Sequence, residues 1–199
     1  MNTMNDKEPI APLTDDHATA REGQYREALE HIEAGKYHQA IELLNVLAGP
    51  ASRDARIRYA RAVALLSTGL YRQAGTDLVF TVVLDREFLP AYRHLGYVLL
   101  SMGKEEAAIK VLHKALELDP NFVDAWGVLA DVYMDLGENE KAFEALDKAL
   151  ELEPRNSEVH CKLAMYYLSR GDIKGLRSEY ELLKEMEPDV AAQIAELLP

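Results

Sequence analysis

Apolar residues recur at three- and four-residue steps along most of this chain, and the pattern is clearest in residues 123–156. Residues with this spacing lie on one face of an α-helix. Gly137 divides the apolar positions into two runs, and Pro154 follows the second run. Glycine favours the left-handed backbone that ends a helix, and proline cannot donate the next helical hydrogen bond. The pattern therefore predicts a helix-turn-helix unit with apolar positions Trp126, Leu129, Ala130, Tyr133, Ala142, Leu146, Ala149 and Leu150.

This unit recurs with a period of 34 residues and without an insertion. The glycine of the turn stands at Gly35, Gly69, Gly103, Gly137 and Gly171. The position five residues after each glycine holds Ala40, Ala74, Ala108, Ala142 and Leu176. A helix pair of this size cannot bury its apolar face alone, so successive units are expected to stack into one elongated core.

The fourth unit resembles the tetratricopeptide repeat (TPR), whose signature is W-x2-L-G-x2-Y, then A-x3-F, then P. The third unit agrees at Tyr92, Leu95, Gly96, Leu99, Gly103, Ala108, Leu112, Ala115 and Pro120. The fifth unit agrees at Leu163, Ala164, Tyr167, Gly171, Tyr180, Leu183 and Pro188. The first two units carry Ser52 and Arg86 where proline is usual. The resemblance covers about 170 of the 199 residues.

The resemblance implies an all-α fold, a right-handed α-solenoid of five helix-turn-helix units with a short C-terminal capping helix. The five repeats are predicted at 21–54, 55–88, 89–122, 123–156 and 157–190. Residues 1–20 contain two prolines and few apolar groups, so we expect a flexible N-terminal tail. The cap is assigned to residues 191–199, with Asp189 as its predicted N-cap.

Polar residues of the first two units occupy positions that are apolar in later units. Gln24 and Glu27 stand where later units carry large apolar residues, as a first helix with nothing stacked before it would tolerate. Arg61 occupies the leucine position of the second unit. Either Arg61 pairs with Glu27, at the equivalent position of the first unit, or both side chains reach solvent.

The net charge of −12 is distributed unevenly over the repeats. The fourth unit holds nine acidic and three basic residues, whereas the second holds three acidic and five basic. An acidic chain without a basic stripe argues against nucleic-acid binding, which depends on neutralising phosphates. The acidic fourth unit either favours a partner with basic residues or only adds to solubility.

Cysteine content and hydropathy indicate the compartment. A single cysteine, Cys161, excludes an internal disulfide and a cysteine-based zinc site. The chain contains no apolar stretch long enough to span a membrane, and residues 1–20 lack the basic start and apolar run of a secretory signal. We therefore expect a cytoplasmic protein.

Catalytic and metal-binding motifs are missing from the sequence. No two of the six histidines stand three or four residues apart, and HExxH, GxSxG and P-loop motifs are absent. His160 and Cys161 are adjacent, so on a helix they do not face each other. Asp124, Asp131 and Asp135 share a helical face but lack a ligand-rich loop, which favours solvated acids over a calcium site. We predict a protein that is not an enzyme and has no cofactor and no metal.

The family resemblance assigns the first helix of each repeat to a concave inner wall, where a partner would bind. The residues of this chain at the inner positions that we expect to contact the partner are Tyr25, Tyr59, Val63, Arg93, Tyr97, Asp124, Asp131, Asp135 and Met165. Each tyrosine is either a binding anchor or a residue packed between repeats. The clamp that holds a peptide carboxylate in chaperone-binding TPR domains is absent, because its positions carry Tyr25, Leu29, Ala60, Pro90 and His94.

The predicted function is that of a scaffold or adaptor that binds a peptide or helix of a partner protein in the concave groove. One alternative is a self-assembling homo-oligomer in which the N-terminal tail and first unit dock in a neighbour's groove, by fold-level analogy with the magnetosome-associated TPR proteins. A secretion-type chaperone is a second alternative, although such chaperones usually have fewer repeats.

Overall fold

The computed structural model describes residues 15–49 and 52–198, and this part of the chain contains α-helices and no strand. The helices are α1 (Asp15–Glu33), α2 (Tyr37–Leu47), α3 (Ala55–Ser67), α4 (Tyr71–Leu84), α5 (Leu89–Ser101), α6 (Glu105–Leu118), α7 (Val123–Asp135), α8 (Asn139–Leu152), α9 (Ser157–Ser169), α10 (Ile173–Met186) and α11 (Pro188–Ala195). Successive helices pack in pairs, and each pair packs on the next. The prediction of an all-α solenoid built from helix pairs is confirmed.

The turn inside each helix pair has the same backbone geometry. Gly35, Gly69, Gly103, Gly137 and Gly171 are the residues with a positive φ in the described part of the chain, with φ between 65° and 75°. In the fourth repeat Glu138 N–H donates to the carbonyl of Tyr133 at 2.8 Å, and Gly137 N–H donates to Met134 at 3.0 Å. This pairing satisfies carbonyls that the helix end leaves free, and only glycine adopts the required φ without strain. The periodic glycines therefore mark the five turns.

The core is continuous from repeat to repeat. Each buried cluster contains one helix pair together with the first helix of the next pair; Leu112 and Leu129, for example, share one cluster. After the fifth repeat, Ala191 and Ile194 of α11 take this place against Leu176 and Leu183. Helix α11 thus covers the last apolar face, as predicted for a cap.

A side chain at one position of the first helix ties successive repeats together. Tyr92 Oη donates to the carbonyl of Arg86 at 3.0 Å, and Trp126 Nε1 donates to that of Pro120 at 3.0 Å. In the fifth repeat His160 Nε2 lies 3.1 Å from the carbonyl of Pro154. Each acceptor stands six residues earlier, in the turn between repeats. These bonds fix the turn on the helix that follows it.

At this position the second repeat carries Arg58, which belongs to a buried charge cluster. Asp77 of α4 is 1% exposed and accepts from both Arg58 and Arg61 of α3. The Arg61 contacts are bidentate, with both N–O distances 2.7 Å. Arg61 also donates to Asn45 of α2 at 3.0 Å. Neither interpretation of Arg61 from the sequence is correct, because its partner is Asp77 and Glu27 is exposed.

The two ends of the array differ in detail from the expected boundaries. Helix α1 begins at Asp15. Residues 15–20, which we assigned to the tail, therefore form the first part of this helix. The remainder of the predicted tail lies outside the described residues. Helix α11 begins at Pro188 with Glu187 as its N-cap residue, and Asp189 lies in the first turn. The prediction of Asp189 as the N-cap is therefore wrong by two residues.

Candidate functional site: a groove lined by the first helices

First helices of four repeats line one cavity of about 370 Å³. Helix α5 packs on α7, and α7 packs on α9, so these three helices form a continuous wall. Helix α3 contributes three further lining residues. The lining residues are Val63, Leu66, Ser67, Arg93, His94, Tyr97, Val128, Asp131, Glu158 and Lys162. The cavity is thus a groove that crosses repeats two to five.

The groove has an apolar part formed by α3, α5 and α7. Val63 and Leu66 lie one turn apart on α3, and Val128 contributes from α7. The Tyr97 side chain of α5 is 44% exposed, although its ring approaches Tyr71 at 6.5 Å between centroids. An exposed aromatic ring beside aliphatic side chains can receive an apolar side chain of a partner.

A row of alternating charges runs along the other side of the groove. Arg93 of α5 lies 3.5 Å from Asp124 of α7 and 3.3 Å from Glu158 of α9. Lys162 of α9 lies 3.6 Å from Glu158 and 2.5 Å from Asp131 of α7. Asp124 and Asp131 are therefore paired with protein cations, which corrects the expectation that they are solvated acids.

Asp131 is the most strongly desolvated carboxylate of this row. Burial raises its pKa above the ordinary value, and the neighbouring Lys162 ammonium only partly opposes that rise. The aliphatic part of Lys162 passes over Gly127, where an added Cβ would lie 3.4 Å from Lys162 Cε. The absence of a side chain at Gly127 leaves room for the ammonium to reach Asp131.

His94 joins the apolar part to the charged row. Its Nδ1 lies 2.9 Å from the carbonyl of Pro90, which can only accept, so Nδ1 carries the hydrogen. Tyr59 Oη lies 3.3 Å from the same nitrogen, and the Tyr59 ring packs on Phe88 at 4.7 Å. Burial lowers the pKa of His94, which keeps the ring neutral at pH 7. Tyr59 is therefore largely a packing residue at the edge of the groove.

The structure brings together four of the nine residues that we predicted for the inner wall. Val63, Arg93, Tyr97 and Asp131 line the cavity. Tyr59 and Asp124 border it through their contacts with His94 and Arg93. The others lie outside the cavity: Tyr25 beneath the Arg56 guanidinium at 5.2 Å, Met165 at 47% exposure, and Asp135 on the surface.

Several lining residues were not among the predicted contacts. Leu66 and Val128 are apolar, and nothing in the sequence distinguishes them from the core residues of the same helices. The sequence could have indicated Lys162, because it stands four residues after Glu158 and therefore lies on the same helix face. Its contact with Asp131 depends on the approach of α9 to α7.

No helix of residues 15–49 and 52–198 combines the length and apolar character needed to cross a membrane. Over the same residues, no three histidine, cysteine or carboxylate side chains converge as a metal site would require.

The chain belongs to the tetratricopeptide repeat family. Two sequence models described as Tetratricopeptide repeat match it, one over residues 25–79 and the other over residues 99–165. No sequence among the curated proteins matches the chain. The family and fold make it a protein-interaction scaffold, in agreement with the prediction from the repeat signature.

Solved structures of TPR proteins share the fold over nearly their whole length. TTC0263, a thermophilic TPR protein of Thermus thermophilus, is 25% identical, with a TM-score of 0.79 over 89% of this chain and 98% of that protein. MamA of Desulfovibrio magneticus RS-1, from residue 41 to its end, is 23% identical, with a TM-score of 0.69 over 85% and 96%. YrrB, described as a TPR protein with an unusual peptide-binding site, is 15% identical, with a TM-score of 0.62 over 90% and 97%.

Proposed function

We propose that this protein is a non-enzymatic adaptor whose groove binds one segment of a partner protein, extended or helical. The segment supplies an apolar side chain and, next to it, a lysine or arginine. One observation carries the proposal: a single cavity joins an apolar part, around Tyr97, to a charged row in which carboxylates outnumber cations.

The apolar part provides the anchor. Val63, Leu66 and Val128 line the apolar part of the cavity, whose whole volume of about 370 Å³ is enough space for one or two side chains but not for a folded domain. A partner side chain placed there covers the exposed face of Tyr97 and removes apolar surface from water. Large apolar and aromatic anchors of this kind dominate binding energy at interfaces.

The charged row sets the preference for a cation. Asp124, Asp131 and Glu158 share two cations, Arg93 and Lys162, so the row keeps an excess negative charge. The Glu158 side chain is 54% exposed and forms long contacts with both cations. Exposed ion pairs contribute only about 0–1 kcal/mol, so a partner cation can share Glu158 at little cost.

The rigidity of the wall supports binding without rearrangement. Helices α5, α7 and α9 pack on one another through buried clusters, and their turns share one geometry. A preformed groove loses little conformational entropy when it binds a segment.

A displayed library of random peptides tests this proposal. Peptides selected on the wild-type protein should contain a large apolar residue close to a lysine or arginine, and Tyr97→Ala should weaken them at least about tenfold. Glu158→Gln should weaken the basic peptides more than neutral analogues of them. A matched control is Glu151→Gln on the outer surface of α8, which should leave binding unchanged. Selected peptides that bind the Tyr97→Ala variant as tightly as the wild type would contradict the groove as the site.

A further inference from the structure

The outer face of α4 differs from the equivalent faces of the two repeats that follow. Its exposed positions are Arg72, Thr76, Val79, Phe80 and Val83. The same positions of α6 carry Glu106, Lys110, His113, Lys114 and Glu117, and those of α8 carry Glu140, Glu144, Asp147, Lys148 and Glu151. We call the surface formed by Thr76, Val79, Phe80 and Val83 the α4 outer face. The second helices of repeats three and four therefore carry polar and charged residues at these positions, as a surface exposed to water does.

The apolar side chains of the α4 outer face are well exposed. Val79 is 48% exposed, Phe80 47% and Val83 66%. On the neighbouring second helix, α2, the residue equivalent to Phe80 is Val46, which is 75% exposed. A contiguous apolar surface of this kind on an otherwise charged protein marks an interaction site.

The Phe80 ring is held in place from below. The Arg58 guanidinium lies 4.6 Å from its centroid, and Asp77 fixes that arginine from the other side. The ring therefore presents its outer surface to solvent with little freedom to fold back. A fixed aromatic ring loses little entropy on binding and is a typical anchor of an interface.

The charges at the two ends of α4 are complementary to each other. Arg72 stands at the start of the helix and forms no ion pair within the described residues. Asp85 and Glu87 follow the end of the helix, with Arg86 between them, and both carboxylates are in exposed positions. Arg72 and Asp85 are thirteen positions apart along α4 and its C-cap, which corresponds to about 20 Å of helix.

We infer that two copies of this chain associate through the α4 outer face, with the two α4 helices antiparallel. A two-fold axis between Val79 and Phe80 places Phe80 of each copy opposite Val79 of the other, and Val83 opposite Thr76. The same axis brings Arg72 of each copy opposite Glu87 of the second copy. The arrangement has the apolar centre and charged rim of a stable interface.

A second copy fits this surface better than an unrelated partner does, because one helix supplies both halves of the charge match. Such self-complementarity is the property of an isologous two-fold interface. The groove is lined by first helices, whereas α4 is a second helix. Association through α4 therefore leaves the groove of each copy open and does not depend on the proposed peptide ligand.

The test measures the mass of the full chain by sedimentation equilibrium over a series of concentrations. The wild type should approach twice the monomer mass as concentration rises. Val83→Glu should weaken association at least about tenfold, because it places a carboxylate in the apolar centre. This variant installs the residue that repeats three and four carry at the same position, Glu117 and Glu151, so we expect it to fold normally.

Two further variants separate this interface from a general effect of charge. His113→Glu adds a carboxylate to the outer face of α6, at the position equivalent to Val79, and should leave the mass unchanged. Arg72→Glu should weaken association, and the second change Glu87→Arg should restore it. A wild-type chain that stays monomeric at every concentration, or a dimer that survives Val83→Glu, would overturn the inference. Retention of the dimer by Tyr97→Ala is expected, since that residue lies in the groove.

Discussion

Arg93 Nη2 lies 3.3 Å from Glu158 Oε2, although the two residues are 65 positions apart and belong to the third and fifth repeats. The contact is possible because both side chains extend from first helices, which line the same groove. Arg93 also contacts Asp124 of the intervening helix at 3.5 Å. One arginine thus links the first helices of three repeats.

The Arg93–Glu158 contact should contribute little to stability, despite its long range. Glu158 is 54% exposed, and exposed pairs typically contribute about 0–1 kcal/mol. A double-mutant cycle with Arg93→Gln and Glu158→Gln, measured by urea unfolding, should give a coupling energy within that range. The same cycle on the surface pair Lys148–Glu151 provides the control and should give a similar value. A coupling several times larger would mean that the contact holds the curvature of the array.

The buried charge cluster of the second repeat should behave differently. Asp77→Asn leaves Arg58 and Arg61 without a counter-charge in a buried site, which we expect to cost about 3–5 kcal/mol of unfolding free energy. The control Asp147→Asn, on the exposed face of α8, should change the free energy by less than about 0.5 kcal/mol. Urea unfolding of the two variants and the wild type gives both values.

An apolar replacement of the whole cluster should restore the lost stability. The third repeat carries Tyr92, Leu95 and Val111 at the positions of Arg58, Arg61 and Asp77. The triple variant Arg58→Tyr, Arg61→Leu and Asp77→Val should therefore be as stable as the wild type or more stable, because buried ion pairs rarely exceed apolar packing. A triple variant less stable than Asp77→Asn would show that the cluster is essential to the packing of α2 on α3.

The hydrogen bond from Tyr92 to the turn before its helix is a second stability determinant. Tyr92→Phe removes the donor to the carbonyl of Arg86 and leaves the ring in place, so we expect a loss of about 0.5–1.5 kcal/mol. Tyr97→Phe makes the same chemical change in the groove, where the hydroxyl has no hydrogen bond within the described residues, and should have no effect. Thermal unfolding followed by circular dichroism distinguishes the two variants.

Acidification should destabilise the protein through His94. Burial holds its pKa below the ordinary value, so the unfolded chain binds a proton in a range of pH where the folded chain does not. The stability that the neutral ring contributes is present above about pH 6.5 and decreases as the pH falls through that value. His94→Val, which installs the residue found at the equivalent position of α7, Val128, should show a flatter dependence of unfolding free energy on pH. Exposed His113 provides the control, since His113→Val should leave the slope unchanged.

The period and the turn residues were sufficient to predict the architecture. Gly137 and its four equivalents mark the turns because a positive φ leaves a signature in the sequence itself. The inner position of Val63, Arg93, Tyr97 and Asp131 also followed from their place in the repeat. The turns depend only on local backbone geometry and on the helical period, whereas the inner positions came from the resemblance to the tetratricopeptide repeat.

Contacts between distant side chains could not be predicted in the same way. The sequence offered Glu27 as a partner for Arg61, but Asp77 lies on the second helix of the same repeat and reaches it with two hydrogen bonds. Lys162 meets Asp131 only because α9 approaches α7 closely. Phe80 and Val83 are apolar in the sequence, and only the packing of α4 shows that both are exposed. Which charged side chains form ion pairs depends on the distances between helices, and the sequence pattern does not give these distances.

The most direct test of the groove as the partner site is site-specific photocrosslinking in lysate of the native host. A photoreactive phenylalanine analogue replaces Tyr97 in the groove in one variant, and His113 on the outer surface of α6 in another. Our account predicts covalent adducts with a partner protein at position 97, absent at position 113 and reduced when Glu158→Gln is added. Adducts that form at position 113 and not at position 97 would contradict it.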